Sequence, residues 1–133
     1  MRRVFVSLVV VALAAAAAVA SAARAASQAY TVSELRPQAS VWSPSLGPSG
    51  VQQVFVVVRD QSANPVAQAA VLLMAHFPDG DRAVVMPQTD EHGISQLTLL
   101  YEGQPPGHGV PLEFWVVYGE LQATTRDSFR IWW

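Results

Sequence analysis

The chain has no cysteine and no lysine among its 133 residues. Without cysteine it has no disulfide staple, thiolate metal site, cysteine nucleophile or lipid-modified N-terminal cysteine. Without lysine its fixed cations are eight arginines, set against ten carboxylates. Gly-x-Ser-x-Gly and Ser-x-x-Lys nucleophile motifs are absent, and so is a phosphate-binding glycine loop. Long helical periodicity is missing too, since no segment after residue 25 keeps a 3.6-residue apolar period for three turns.

What is present begins with Met1-Arg2-Arg3, an apolar run from Val4 to Ala20 broken only by Ser7, and Ala23-Arg24-Ala25. A basic start, an apolar stretch and a small-residue site read as a signal peptide over residues 1–25, cleaved after Ala25, with Ala22 the alternative. The run is near the lower length limit of a membrane span, so a retained N-terminal anchor is the other reading. Poly-alanine is weakly hydrophobic, which favours cleavage. An extracytoplasmic protein is expected: secreted, periplasmic or on the cell surface. Loss of residues 1–25 removes Arg2, Arg3 and Arg24, leaving five arginines against ten carboxylates and a net charge of −5. That balance argues against nucleic acid as a partner, and against a membrane beyond the possible anchor. Residues 26–133 are long enough for one domain, held by burial alone.

The apolar pattern of this domain is short and alternating, with turn residues between runs. Strands are expected at Ala29–Leu35, continuing over Gln38–Trp42 after a break at Pro37, and at Val51–Asp60, Ala69–Phe77 and Arg82–Pro87. Three more follow at Ile94–Tyr101, Val110–Tyr118 and Leu121–Trp132. Ser43–Gly50 reads as a Pro/Gly/Ser loop, Pro78–Asp81 and Gly119–Glu120 as tight hairpin turns, and Glu102–Gly109 as a loop. Seven strands at this spacing imply an all-β fold, a single immunoglobulin-like β-sandwich.

Three phrases in order resemble bacterial Ig-like domains of the invasin/intimin type. "VVVRDQSANPVAQAAVLL" is similar to their V-x-V-x-D-x-x-G-x-P-V-x-G-A-x-V segment. "TDEHGISQLTL" is similar to T-D-x-x-G-x-x-x-x-x-L, and "LEFWVVYGELQATTRDSFRI" to the final hairpin. Carboxypeptidase-regulatory and transthyretin-like sandwiches share the first two phrases. The sequence departs from the pattern at Asn64 and Gln68, where glycine is usual. Asn64 is a mild change because asparagine tolerates a left-handed turn, whereas Gln68 puts the tight turn into the next strand in doubt. The resemblance implies an extracytoplasmic binding or spacer module with no catalytic residues. It also implies turn roles for Asp60, Pro65, Asp90 and Gly93.

Asp90, Glu91 and His92 stand side by side, the residue types of a metal site or an acid–base catalyst. Adjacent residues point in different directions, so the preferred reading is a charged turn. Asp90 then caps backbone N–H groups, Gly93 supplies a left-handed geometry, and Glu91 and His92 sit at the surface. His76, Asp79 and Asp81 have too few oxygens at alternate positions for a calcium loop. His108 has no ligand-spaced neighbour. A zinc site joining His76, His92 and His108 would need distant loops to meet. Neither a metal nor another cofactor is expected, and a sandwich this small leaves little room for a glycosidase cleft.

Apolar residues where solvent is expected are more informative. If Val71, Leu73, Phe114, Val116, Phe129 and Ile131 face the core, alternation turns Leu72, Met74, Trp115, Val117 and Trp132 outward. A one-residue register slip would reverse every face. An outward set of this composition suits a protein interface, with another protein or a second copy as partner. The expected function is non-catalytic binding. A carbohydrate-binding module on the same tryptophans and a metal-dependent hydrolase on the histidine loops are the alternatives.

Overall fold

The computed structural model describes residues 31–132, so the expected signal peptide and the Ala29–Tyr30 start of the first expected strand lie outside them. Contacts divide the chain into Met1–Val32 and Ser33–Trp133. The second unit is a β-sandwich of eight strands: β1 (Arg36–Val41), β2 (Ser45–Leu46), β3 (Gly50–Arg59), β4 (Ala70–Phe77), β5 (Gly80–Val85), β6 (Ile94–Tyr101), β7 (Gly109–Tyr118) and β8 (Leu121–Ile131). One sheet has the order β1-β3-β6, the other β2-β8-β7-β4-β5.

Period-two burial builds the core. Val54, Val56 and Val58 of β3 face Val71, Leu73 and Ala75 of β4 and Val110, Leu112, Phe114 and Val116 of β7, all fully or almost fully buried. Phe77, Tyr101 and Phe129 close one end, with ring centroids 5.5–6.3 Å apart. The Tyr101 hydroxyl donates to Gly47 O at 2.8 Å, so burial, which raises its pKa, leaves no unpaired phenol. Gln52 is a polar residue on this inward face. Its side-chain oxygen accepts from Ser43 N at 3.1 Å and its amide donates to Ser43 O, fixing the chain where it leaves β1.

Three local expectations are corrected. Thr31–Leu35 is not a strand; the first strand begins at Arg36. Nor does Pro37 interrupt it. Pro37 pairs with Val58 inside β1, an edge strand, where a missing N–H can face away from the partner. The Ser43–Gly50 loop holds β2, whose two residues pair in parallel with Arg130 and Ile131. The expected hairpins are present. Phe77 pairs with Gly80 across Pro78–Asp79, and Tyr118 with Leu121 across Gly119–Glu120, with Gly119 at φ +59°.

Two turns pack on each other where β3 ends. Asp60 accepts at Oδ1 from the N–H groups of Ser62 (2.9 Å) and Asn64 (3.0 Å). Pro65 forms a bridge with Arg59, and Val66 N donates to Val58 O at 3.0 Å. In the facing turn Asp90 accepts at Oδ1 from His92 N (2.8 Å) and Ile94 N (3.0 Å). These bonds to the charged carboxylate, Ile94's first, hold its pKa below the ordinary aspartate value. Gly93 has φ +74°, and a Cβ there would stand 2.5 Å from Val58 O and 3.1 Å from Val66 N. Among the described residues the left-handed non-glycine ones are Ala63 (φ 62°) and Gln68 (φ 61°), so the burden expected at Asn64 falls one residue earlier. Gln68 makes the turn into β4 in the strained geometry that glycine would adopt freely, its N–H donating to Thr89 O at 2.8 Å.

Two stability outcomes follow from these turns. Gly93→Val combines a left-handed β-branched residue with backbone overlap and should cost at least ~3 kcal/mol in denaturant melts, while His92→Ala stays within about 0.5 kcal/mol. Gln68→Gly should instead stabilise, by about 1 kcal/mol, because it relieves a left-handed side chain without removing a backbone bond.

Candidate functional site

The outer face of the five-stranded sheet is assembled by register. Leu72 stands opposite Trp115 on β7 and Val85 on β5, and Trp115 stands opposite Thr124 on β8. One row across the sheet therefore reads Val85–Leu72–Trp115–Thr124. The adjoining row is Ala83–Met74–Glu113–Arg126, and on the other side Ala70 pairs with Val117. Leu72, Trp115 and Val117 are each a little under two-fifths exposed, and Val85 is 81% exposed. Directly opposed apolar side chains shield one another, which leaves a low, continuous patch rather than isolated protrusions.

Trp132 lies elsewhere. It comes eight residues on from Thr124, which stands opposite Trp115, roughly 26 Å at the usual strand rise. There Trp132 N donates to Leu46 O, the Arg130 guanidinium sits 5.3 Å from the ring centroid, and Ser45, Leu46 and Gly47 share an open recess with it. The five residues expected to form one surface are thus a cluster of four plus a separate tryptophan. Val85, the most exposed apolar residue beside the cluster, follows from the register of β5 and not from any motif. Val51 and Leu100, which pair with each other, are exposed apolar residues of the other sheet, and the exposed Trp42 just past β1 donates its N–H to Gln53 O.

Charged groups from two neighbouring rows border the apolar cluster. His76 Nδ1 and Asp81 Oδ1 are 2.8 Å apart, and His76 Nε2 is 3.3 Å from Glu113 Oε1, an ion pair and not an aligned hydrogen bond. Arg126 approaches the same Glu113 oxygen at 4.0 Å. The bond to Asp81 raises the His76 pKa above 6.5; partial burial opposes this, and the negative charges of Asp81 and Glu113 reinforce it. His92 and His108 are exposed in turns, His92 Nε2 lying 3.4 Å from Glu91. Among the described residues no three His, Asp or Glu side chains gather as metal ligands. Asp79 accepts instead from the buried Gln104 amide at 2.9 Å, tying the 102–108 loop to the β4–β5 turn.

A raised histidine pKa means that the folded state holds its proton more tightly than the unfolded chain. The stabilisation it gives is fully present below pH 6.5 and fades as pH climbs through the raised value. A ring-proton NMR titration should place the His76 midpoint above 6.5, and Asp81→Asn should lower it. His76→Gln should lower the melting temperature in mildly acidic buffer and have a smaller effect in alkaline buffer. An unchanged midpoint in Asp81→Asn would contradict the assignment.

No family model matches the chain, and a search of curated proteins found no match either. Among solved structures the fold is similar to that of Spo0M, a sporulation control protein from Bacillus subtilis. The two share 11% identity and a TM-score of 0.48 over 76% of this chain and 50% of that one. This chain thus spans about half the length of that structure, and nothing about function follows from a likeness of this degree.

Proposed function

We propose that the chain is an exported, non-catalytic Ig-like module that works by protein–protein contact through the outer face of its five-stranded sheet. The row Val85–Leu72–Trp115 supports this most directly, being apolar on the side of the sheet that faces away from the core. Trp115 is the anchor, since aromatic residues ringed by aliphatic ones dominate binding energy at interfaces. Leu72, Met74, Val85 and Val117 form the surrounding rim. Membership of the invasin/intimin-type Ig-like domains rests on the three sequence motifs, and export rests on residues 1–25. The acidic surface turns the module away from nucleic acid. Sugar stacking is the weaker reading, because Trp115 and Trp132 are too far apart to grip one short glycan and Arg130 already lies over the Trp132 ring.

A photo-cross-linking residue placed at Val117 in the producing cell should trap a defined polypeptide adduct, while one at Gln38, on the outer face of the other sheet, should not. Trp115→Ala should weaken the interaction by about 2 kcal/mol, roughly thirtyfold, without loss of fold. Equal adducts from both faces, or tryptophan fluorescence that responds to glycans instead, would remove the proposal. Intact mass of the exported protein should lack residues 1–25; retention of that mass would favour the anchored form.

A further inference from the structure

The four-residue cluster does not stop at β4. It continues across β5 to an edge whose backbone has no neighbour among the described residues, the sheet order ending at β5. Which β5 groups face outward is fixed by one bond. Met86 N donates to Val71 O at 2.9 Å, so Met86, Val84 and Arg82 turn their backbone groups to β4. Asp81, Ala83 and Val85 therefore present theirs to solvent, while their side chains lie on the outer face beside His76, Met74 and Leu72.

Other edges of the sandwich are blunted, as exposed edges usually are. On β6, Ile94 is closed at one end by Asp90, with Asp90 N donating to Ile94 O and Ile94 N donating to Asp90 Oδ1. At the other end the Arg82 guanidinium caps Leu100 O. β1 carries Pro37, and β8 has β1 lying alongside it. β5 has no proline between Asp81 and Val85, no bulge in its register and no cation on its outer face. Its one outer charge, Asp81, is at the start of the run and partly engaged by His76.

Area then separates the possible occupants. The exposed parts of Leu72, Met74, Val85, Trp115 and Val117 amount to on the order of 400 Å², so two copies pressed face to face would bury about 800 Å², short of the ~1,200 Å² of stable complexes. The net charge of −5 expected after loss of residues 1–25 also opposes self-association. Something must supplement the apolar contact, and the open backbone row beside it offers hydrogen bonds that only an extended chain can match.

We infer that β5 accepts an extended segment of another polypeptide as a sixth strand, paired with the backbone of Asp81, Ala83 and Val85. This rests on the protein-contact reading of the outer face and names the form the partner takes. The added strand would carry apolar side chains at alternate positions, beside Ala83 and Val85, and an arginine or lysine beside Asp81.

The test is selection of a displayed library of twelve-residue peptides against the purified full chain. Recovered peptides should alternate apolar residues on one face and carry a cation. They should bind Ala83→Pro at least ~10-fold more weakly, since proline there removes an outward N–H and no β4–β5 bond. Should that variant fold poorly, N-methylation of alternate peptide bonds in the recovered peptide gives the same test on the unaltered protein, and the loss should be similar. Recovery of no peptide beyond a control protein overturns strand addition. So do peptides indifferent to both changes, and if these depend on Trp115 the outer-face reading survives without the edge. A concentration-dependent dimer dissolved by Ala83→Pro would make the occupant a second copy and overturn the assignment to a foreign strand.

Discussion

The close approach of Gly93 to Val58 and Val66 is the constraint on which the sandwich depends. Val58 N donates to Gly93 O, while Val58 O accepts from Val66 N, so one residue of β3 holds a turn on each side. A side chain at Gly93 would enter that space. The same junction reaches the second sheet through Thr89, which is buried. Its hydroxyl accepts from Ala69 N at 2.9 Å and donates to Val66 O at 2.6 Å. Ala69 immediately precedes β4, so the backbone bonds that order the end of the β1-β3-β6 sheet also fix where the other sheet begins. In a chain without disulfides, this polar knot between two turns supplies a registration that burial alone, being non-directional, does not.

Once β4 is placed, the outer face follows. β4 is apolar on both sides, and its position between β5 and β7 sends Val71, Leu73 and Ala75 inward and Leu72, Met74 and His76 outward. The face therefore depends on the junction, because a slip of one residue at Ala69 would exchange the two sets. Strand pairing then gathers the outward residues into rows. Charged groups in the next two rows, Glu113 and Arg126 beside Met74 in one and His76 and Asp81 in the other, limit the patch at that side.

The sandwich, the hairpin turns and the inward set on β4, β7 and β8 were legible because alternation over eight or more residues leaves one consistent assignment of faces. The Asp90 turn was legible too, since its carboxylate binds N–H groups two and four residues on, whereas the close packing of Gly93 on Val58 and Val66 joins residues far apart in the chain. What alternation does not carry is position along a strand. Trp115 and Trp132 both point outward in the pattern, yet pairing puts them at different ends of the sheet. Asn64 was the reasonable residue for a left-handed turn, but the bonds from Ser62 and Asn64 to Asp60 leave Ala63 to take that geometry. β2 had no signal at all, because two residues within a Pro/Gly/Ser segment cannot show a period. Val85 was passed over because the run that holds it is short and closed by Pro87, and its exposure depends on β5 being the last strand of its sheet.

The edge and the face acquire meaning together. An exposed apolar patch of a few hundred Å² is common on a monomer, and so is an open edge of five residues. Here the residues that offer free backbone groups also carry the side chains that extend the patch, because in a strand those two directions are perpendicular. A strand laid against β5 would set its own outward side chains beside Ala83 and Val85 and continue the row through Leu72 to Trp115. A globular surface resting on the face would leave the backbone of Asp81, Ala83 and Val85 to water, and a strand without apolar residues would leave Val85 exposed. One occupant satisfies both, an extended chain with an apolar side, and its cationic end belongs beside Asp81, where the remaining carboxylate oxygen is free of His76.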